Sequence, residues 1–209
     1  VNDTGANGYD KAQISNAAGI SVSLNGWSGL ERINGFSGGD QIDASTVVQG
    51  LLMFGDDGND TLIGGLGNDV LIGGDGNDML TGNDGNDIML GAAGNDTFDG
   101  GAGNDVFYIG ESGDVVSDGG AGFDKAVIST PAGIALSVGS WLNVERINGL
   151  TGDDSIDATG MATSITVVGS DGNDTLTGGD VGDVFFAGTD DDAIFGVGGA
   201  DAIIAGAGN

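Results

Sequence analysis

The chain has 209 residues, with 32 acidic and 4 basic side chains, a formal charge of −28, and neither histidine nor cysteine. That balance excludes a nucleic-acid partner, because phosphate binding needs Lys and Arg, and it rules out catalytic arrangements built on His or Cys. No apolar run approaches the roughly 20 residues of a membrane-crossing helix, so the chain is not read as membrane-spanning.

Glycine supplies 45 residues, and a glycine-rich acidic chain ordinarily reads as disordered. Here the apolar residues recur in register with the glycines, which a disordered tail has no reason to do. In chain order, residues 1–54 form a spacer block carrying Trp27, the pair Glu31-Arg32 and one weak nonapeptide, GFSGGDQID at 35–43. Trp27 can be read as a carbohydrate-stacking surface or as a cover for the core, and the second reading is favoured. Glu31 and Arg32 are adjacent, so each is expected to pair across to a neighbouring coil. For Asp10 and Asp40 the choice is between metal ligation and turn capping.

Residues 55–117 are a run of nonapeptides: GDDGNDTLI, GGLGNDVLI, GGDGNDMLT, GNDGNDIML, GAAGNDTFD, GGAGNDVFY and the weaker IGESGDVVS. Asp60, Asp69, Asp78, Asp87, Asp96, Asp105 and Asp114 occupy the sixth place. Leu62, Leu71, Leu80, Met89, Phe98, Phe107 and Val116 occupy the eighth. Residues 118–168 form a second spacer block that repeats the first at an offset of 114, Tyr9 matching Phe123 and Trp27 matching Trp141. Glu145-Arg146, Asp124 and Asp154 take the same alternatives as their counterparts, Asp154 lying in GLTGDDSID at 149–157. Residues 169–209 are a second nonapeptide tract with Asp174, Asp183, Asp192 and Asp201 in register. It departs from the pattern where Val181 replaces glycine and where Asp190-Asp191-Asp192 follows an altered turn. Both ends of the sequence fall inside a repeat, so the chain is read as a piece of a longer array.

Gly, Asn and Asp tolerate the left-handed backbone of tight turns, and runs such as VLI suit short strands. A turn plus a three-residue strand at period nine makes half a coil. Two nonapeptides therefore close one turn of a parallel solenoid, with strands 18 residues apart stacked about 4.8 Å from each other. Alternation along the strand points the eighth place inward. Leu62, Leu80 and Phe98 should form one internal column, and Leu71, Met89 and Phe107 the opposing one.

The same stacking lines up the aspartates on the two edges. Carboxylates about 5 Å apart repel by roughly 3 kcal/mol at an effective dielectric of 20. Ordering nine residues costs on the order of 10 kcal/mol, whereas one buried Leu or Phe returns about 2–3. A hard divalent cation between successive turns removes the difficulty. Calcium takes six to eight oxygens in flexible geometry, magnesium demands a stricter octahedron, and zinc prefers the absent His and Cys. Calcium is the expected cofactor, as several ions.

These repeats resemble the RTX (repeats-in-toxin) family, whose consensus is GGxGxDxUx; GGLGNDVLI at 64–72 and GGDGNDMLT at 73–81 match every fixed place. The resemblance implies an all-β, right-handed parallel β-roll or β-helix solenoid, type I secretion, and folding in external calcium. It also implies that the sixth-place aspartate and the carbonyls of places one to four hold the metal. Carried onto this chain, those are Gly55, Asp57 and Gly58; Gly64, Gly65, Leu66 and Gly67; Gly73, Gly74, Asp75 and Gly76; and Gly82, Asp84 and Gly85. The set continues with Gly91, Ala93 and Gly94; Gly100, Gly101 and Gly103; and Gly169, Asp171 and Gly172.

Two functions fit. The first is a non-enzymatic structural or adhesive module, secreted or on a bacterial cell surface, in a surface layer, filament or adhesin. Its partners would be calcium and further repeats or neighbouring copies at the open solenoid ends. The alternative is the export and folding tail of a secreted protease, lipase or polysaccharide epimerase. A groove for an acidic polysaccharide needs more basic residues than four.

Overall fold

The computed structural model of the chain describes residues 11–13, 19–24 and 26–208. Among them there are only strands and turns, wound as a parallel β-solenoid of about ten turns. Every second strand joins one continuous eleven-stranded sheet that runs from Lys11–Gln13 through Val70–Asp75 to Ala202–Ile204. The intervening strands form a second face in two parts. One is six-stranded, from Ser21–Ser23 to Val115–Asp118; the other is four-stranded, from Ala135–Ser137 to Ala193–Phe195. The chain's single proline, Pro131, lies between the two parts.

The spacing of the repeats sets the register. Leu62 pairs with Leu80 and Leu80 with Phe98, while on the opposite face Leu71 pairs with Met89 and Met89 with Phe107. All six are fully buried. Phe98 and Phe107 meet across the core with ring centroids 5.9 Å apart, a tilted packing suited to the ring quadrupoles.

Several strands are longer than three residues. Leu52–Asp57, Val70–Asp75, Met79–Asp84, Ile88–Ala93 and Thr97–Ala102 each span six. The extension runs through the first half of the turn, where Asp56 pairs with Gly74 and Asp57 with Asp75. Stacked turns present unpaired backbone groups to one another at strand spacing, and pairing them satisfies those groups.

The spacer blocks continue the solenoid with wider coils. The offset between stacked residues is 18 in the nonapeptide tract but 20 or 21 in the blocks. Trp141 is buried in the core and Trp27 packs against it, as expected of covers. Arg32 and Arg146 do not reach across coils through their Nε atoms. Each donates along its own strand, to Asn34 and Asn148, and Arg32 also lies 4.2 Å from the Phe54 ring centroid on the next strand.

The two outer faces differ in chemistry. On the eleven-stranded sheet one outward row reads Lys11, Arg32, Leu52, Val70, Ile88, Val106, Lys125, Arg146, in direct pairing order. All four basic residues of the chain stand in it. The corresponding row opposite begins Ser21, Gln41, Thr61, Met79, Thr97.

Candidate metal centre

Each edge of the solenoid is a column of turns, and in the nonapeptide tracts each turn ends on a sixth-place aspartate. The backbone N–H of one aspartate donates to Oδ1 of the aspartate one coil later. Thus Asp40 donates to Asp60, Asp60 to Asp78, Asp78 to Asp96 and Asp96 to Asp114, at 2.6–2.9 Å. On the other edge Asp69 donates to Asp87, Asp87 to Asp105 and Asp105 to Asp124, and Asp124 donates to Glu145 Oε2. Glu145 therefore does reach across a coil, to a backbone amide. In the later coils Asp154 donates to Asp174, Asp174 to Asp192 and Asp183 to Asp201.

The second oxygen is left over. Oδ2 of Asp40, Asp60, Asp78, Asp87, Asp96, Asp105, Asp124, Asp154, Asp174 and Asp192 is buried with no hydrogen-bond partner. A buried carboxylate oxygen without a partner is costly, so ten in register are donors suited to a cation. Burial drives the carboxyls of Asp60, Asp78, Asp87, Asp96, Asp105, Asp124, Asp154 and Asp174 upward, opposed by the N–H each accepts and reinforced by neighbouring carboxylates. Asp78 and Asp87 are raised to about 7, and Asp96, Asp124, Asp154 and Asp174 to about 6.

Among the described residues no three His, Cys, Asp or Glu side chains converge, so most donors must come from the backbone. At Gly55, a Cβ would meet both Oδ2 of its own Asp60 and the carbonyl oxygen of Gly73 one coil on. Gly82 stands likewise between Asp87 Oδ2 and the Gly100 carbonyl. Carboxylate and carbonyl oxygens thus face one spot, which explains glycine at place one. Several place-three carbonyls, of Asp57, Asp75, Ala93 and Asp171, accept one N–H from the preceding coil, which leaves their second lone pair. An all-oxygen set of this kind fits calcium.

The turns take two conformations. In most, places two and four have positive φ, as at Gly74 (120°) with Gly76 (139°), Asn83 (73°) with Gly85 (132°), and Ala92 (80°) with Gly94 (128°). The pairs Asp56–Gly58, Gly101–Gly103, Gly120–Gly122 and Ser170–Gly172 are alike, and so are Gly188–Asp190 and Val197–Gly199. These are open turns. In three turns, 64–69, 109–114 and 178–183, neither place has positive φ. There the aspartate closes on its own turn: Oδ2 of Asp69 accepts the Gly65 N–H, that of Asp114 the Gly110 and Glu111 N–H groups, and that of Asp183 the Gly179 N–H. The Gly64 carbonyl also accepts the Asn83 side-chain amide at 2.8 Å.

A family model of the RTX calcium-binding nonapeptide repeat matches residues 54–89, 81–116, 90–126, 166–180 and 177–209, more than half of the chain. The chain belongs to the RTX calcium-binding repeat family. No curated protein matches it. Calcium is the cofactor of such repeats, and when bound it supplies a positive charge for the buried carboxylate oxygens to coordinate.

One set of RTX residues was not singled out from sequence, the place-five asparagines. The N–H of Asn77 donates to Asn59 Oδ1 and that of Asn95 to Asn77, while Asn86 and Asn104 continue the other edge from Asn68. This ladder runs opposite to the aspartate ladder, with the later coil donating. The constant GND triplet was its visible signal. Asp10 lies outside the described residues.

Proposed function

We propose that this RTX chain is a calcium-set structural and adhesive module of a secreted bacterial surface protein, folding when it meets external calcium. The observation that carries this reading is the duplication of geometry along with sequence. Coils 114 residues apart share their hydrogen bonds, as in Ile20 N–H to Asp40 and Ile134 N–H to Asp154, or Gly65 N–H to Asp69 and Gly179 N–H to Asp183. A unit repeated within one uninterrupted sheet lengthens a rod, and solenoid ends take further repeats or neighbouring copies. The metal ligands of this reading are the sixth-place aspartates with carbonyls of the open turns. The four segments, divided at 54/55, 117/118 and 168/169, alternate metal-poor and metal-rich stretches.

The test is circular dichroism of the chain in EDTA and after adding millimolar calcium. A largely unfolded spectrum that gains β signal on addition is the expected outcome. A cooperative, well-folded β spectrum in EDTA would sink the reading.

A further inference from the structure

A repeat that matches the family consensus at every fixed place and turns that the consensus misses behave in opposite ways. The turn at 64–69 has glycine at places one, two and four, yet it is closed. The turns at 35–40 and 149–154 lie outside the residues matched by the family model, yet both are open. Phe36 has φ 85° with Gly38 at 90°, and Leu150 has φ 72° with Gly152 at 101°. Asp40 and Asp154 are 2% and 1% exposed, and the Oδ2 of each has no partner. Their Oδ1 atoms accept the Ile20 and Ile134 N–H groups, and their own N–H groups donate to Asp60 and Asp174. The place-one glycines above them, Gly35 and Gly149, face the Gly55 and Gly169 carbonyls. Each spacer turn thus offers what the nonapeptide turns offer.

We propose that calcium is held between turns 35–40 and 55–60 and between turns 149–154 and 169–174, and that the closed turns 64–69, 109–114 and 178–183 hold none. This rests on the calcium-set reading above and names which turns carry it. Closure is imposed by the neighbouring coil. The loop beneath 64–69 is Ala44–Gly50, whose Val47 carbonyl accepts the Leu66 N–H at 2.7 Å. Beneath 178–183 the Met161 carbonyl accepts the Asp180 N–H at 3.1 Å. Both loops start from the same turn, with Asp43 Oδ1 accepting the Ser45 N–H and Asp157 Oδ1 the Thr159 N–H. Place four is Gly67 in one closed turn and Val181 in the other. Equal closure with unlike residues means that the spacer loop, rather than the turn's own glycines, decides. In 109–114 the neighbour beyond is again a spacer turn, and Ser112 stands at place four. Metal columns therefore stop at coils where the carboxylate finds backbone donors at home, and they extend one coil into each spacer block.

Calcium stoichiometry by equilibrium dialysis of folded protein tests this directly. Asp40→Asn and Asp154→Asn should each lose one ion, whereas Asp69→Asn and Asp183→Asn should lose none. Loss of an ion in Asp69→Asn, or none in Asp40→Asn, would overturn the assignment. Because a variant can fail to fold, anomalous scattering from strontium-loaded wild-type crystals gives a second readout. Peaks are expected at 35–40/55–60 and 149–154/169–174 and not against 64–69; the reverse pattern refutes it. A wild-type chain that takes up no calcium would instead defeat the function proposed above.

Discussion

At Asp78 the two carboxylate oxygens have separate tasks. Oδ1 accepts the Asp60 N–H and joins two coils, while Oδ2 is buried without a partner and faces the turn interior. Asp78→Asn keeps an oxygen that can accept that N–H but removes the charge a cation needs. The expected result is a calcium midpoint raised by at least roughly tenfold, read by titration against β signal. An unchanged midpoint would count against the ligand role. Phe98 works from the other side of the wall: it is fully buried and meets Phe107. Phe98→Ala should lower the stability of the calcium-saturated chain by about 3–5 kcal/mol, measured by urea unfolding, without altering the number of ions bound. The two substitutions separate metal from packing.

At the scale of the coil, the period of nine was enough to place the inward columns, the parallel pairing and the aspartate edges, because all three follow from side-chain alternation and the repeat length. What it could not show was the state of an individual turn. GGLGND at 64–69 and GGDGND at 73–78 differ in one residue, yet one is closed and the other open, since the difference comes from the loop packed beneath. Strand length escaped for a related reason: places two and three pair only because another turn lies at strand distance.

The carboxyl columns also set a pH dependence. Asp78 and Asp87 are raised to about 7 from an ordinary carboxyl value near 3.8. The metal-free fold then binds more protons than the unfolded chain between those limits, so its stability falls as pH rises through that window. Metal-free protein should gain β structure as pH is lowered from 8 to 5, followed by circular dichroism in EDTA. Calcium competes with the same protons, so its affinity should fall over the same range. A metal-free chain whose structure is lost on acidification across that window would contradict the sign.

For the molecule as a whole, the acidic excess of 32 to 4 raises the question of whether a divalent ion is needed or simple screening would serve. Ordinary salt screens over about 10 Å at 0.1 M and still about 3 Å at 1 M. Carboxylates in one column sit about 4.8 Å apart, inside the first distance and not far beyond the second, and they are buried, where screening is weaker still. Sodium chloride also supplies nothing to the orphaned Oδ2 atoms, which need a coordinated cation. Calcium should therefore collapse the chain where salt does not. By size scaling, 209 compact residues have a radius of gyration of about 17 Å and the unfolded chain roughly 50 Å. Small-angle scattering in EDTA with 0.5 M sodium chloride should stay near the larger value and drop towards the smaller once millimolar calcium replaces the chelator. Compaction by sodium chloride alone would mean that charge repulsion was the whole obstacle, and that the carboxylate oxygens need no ligand.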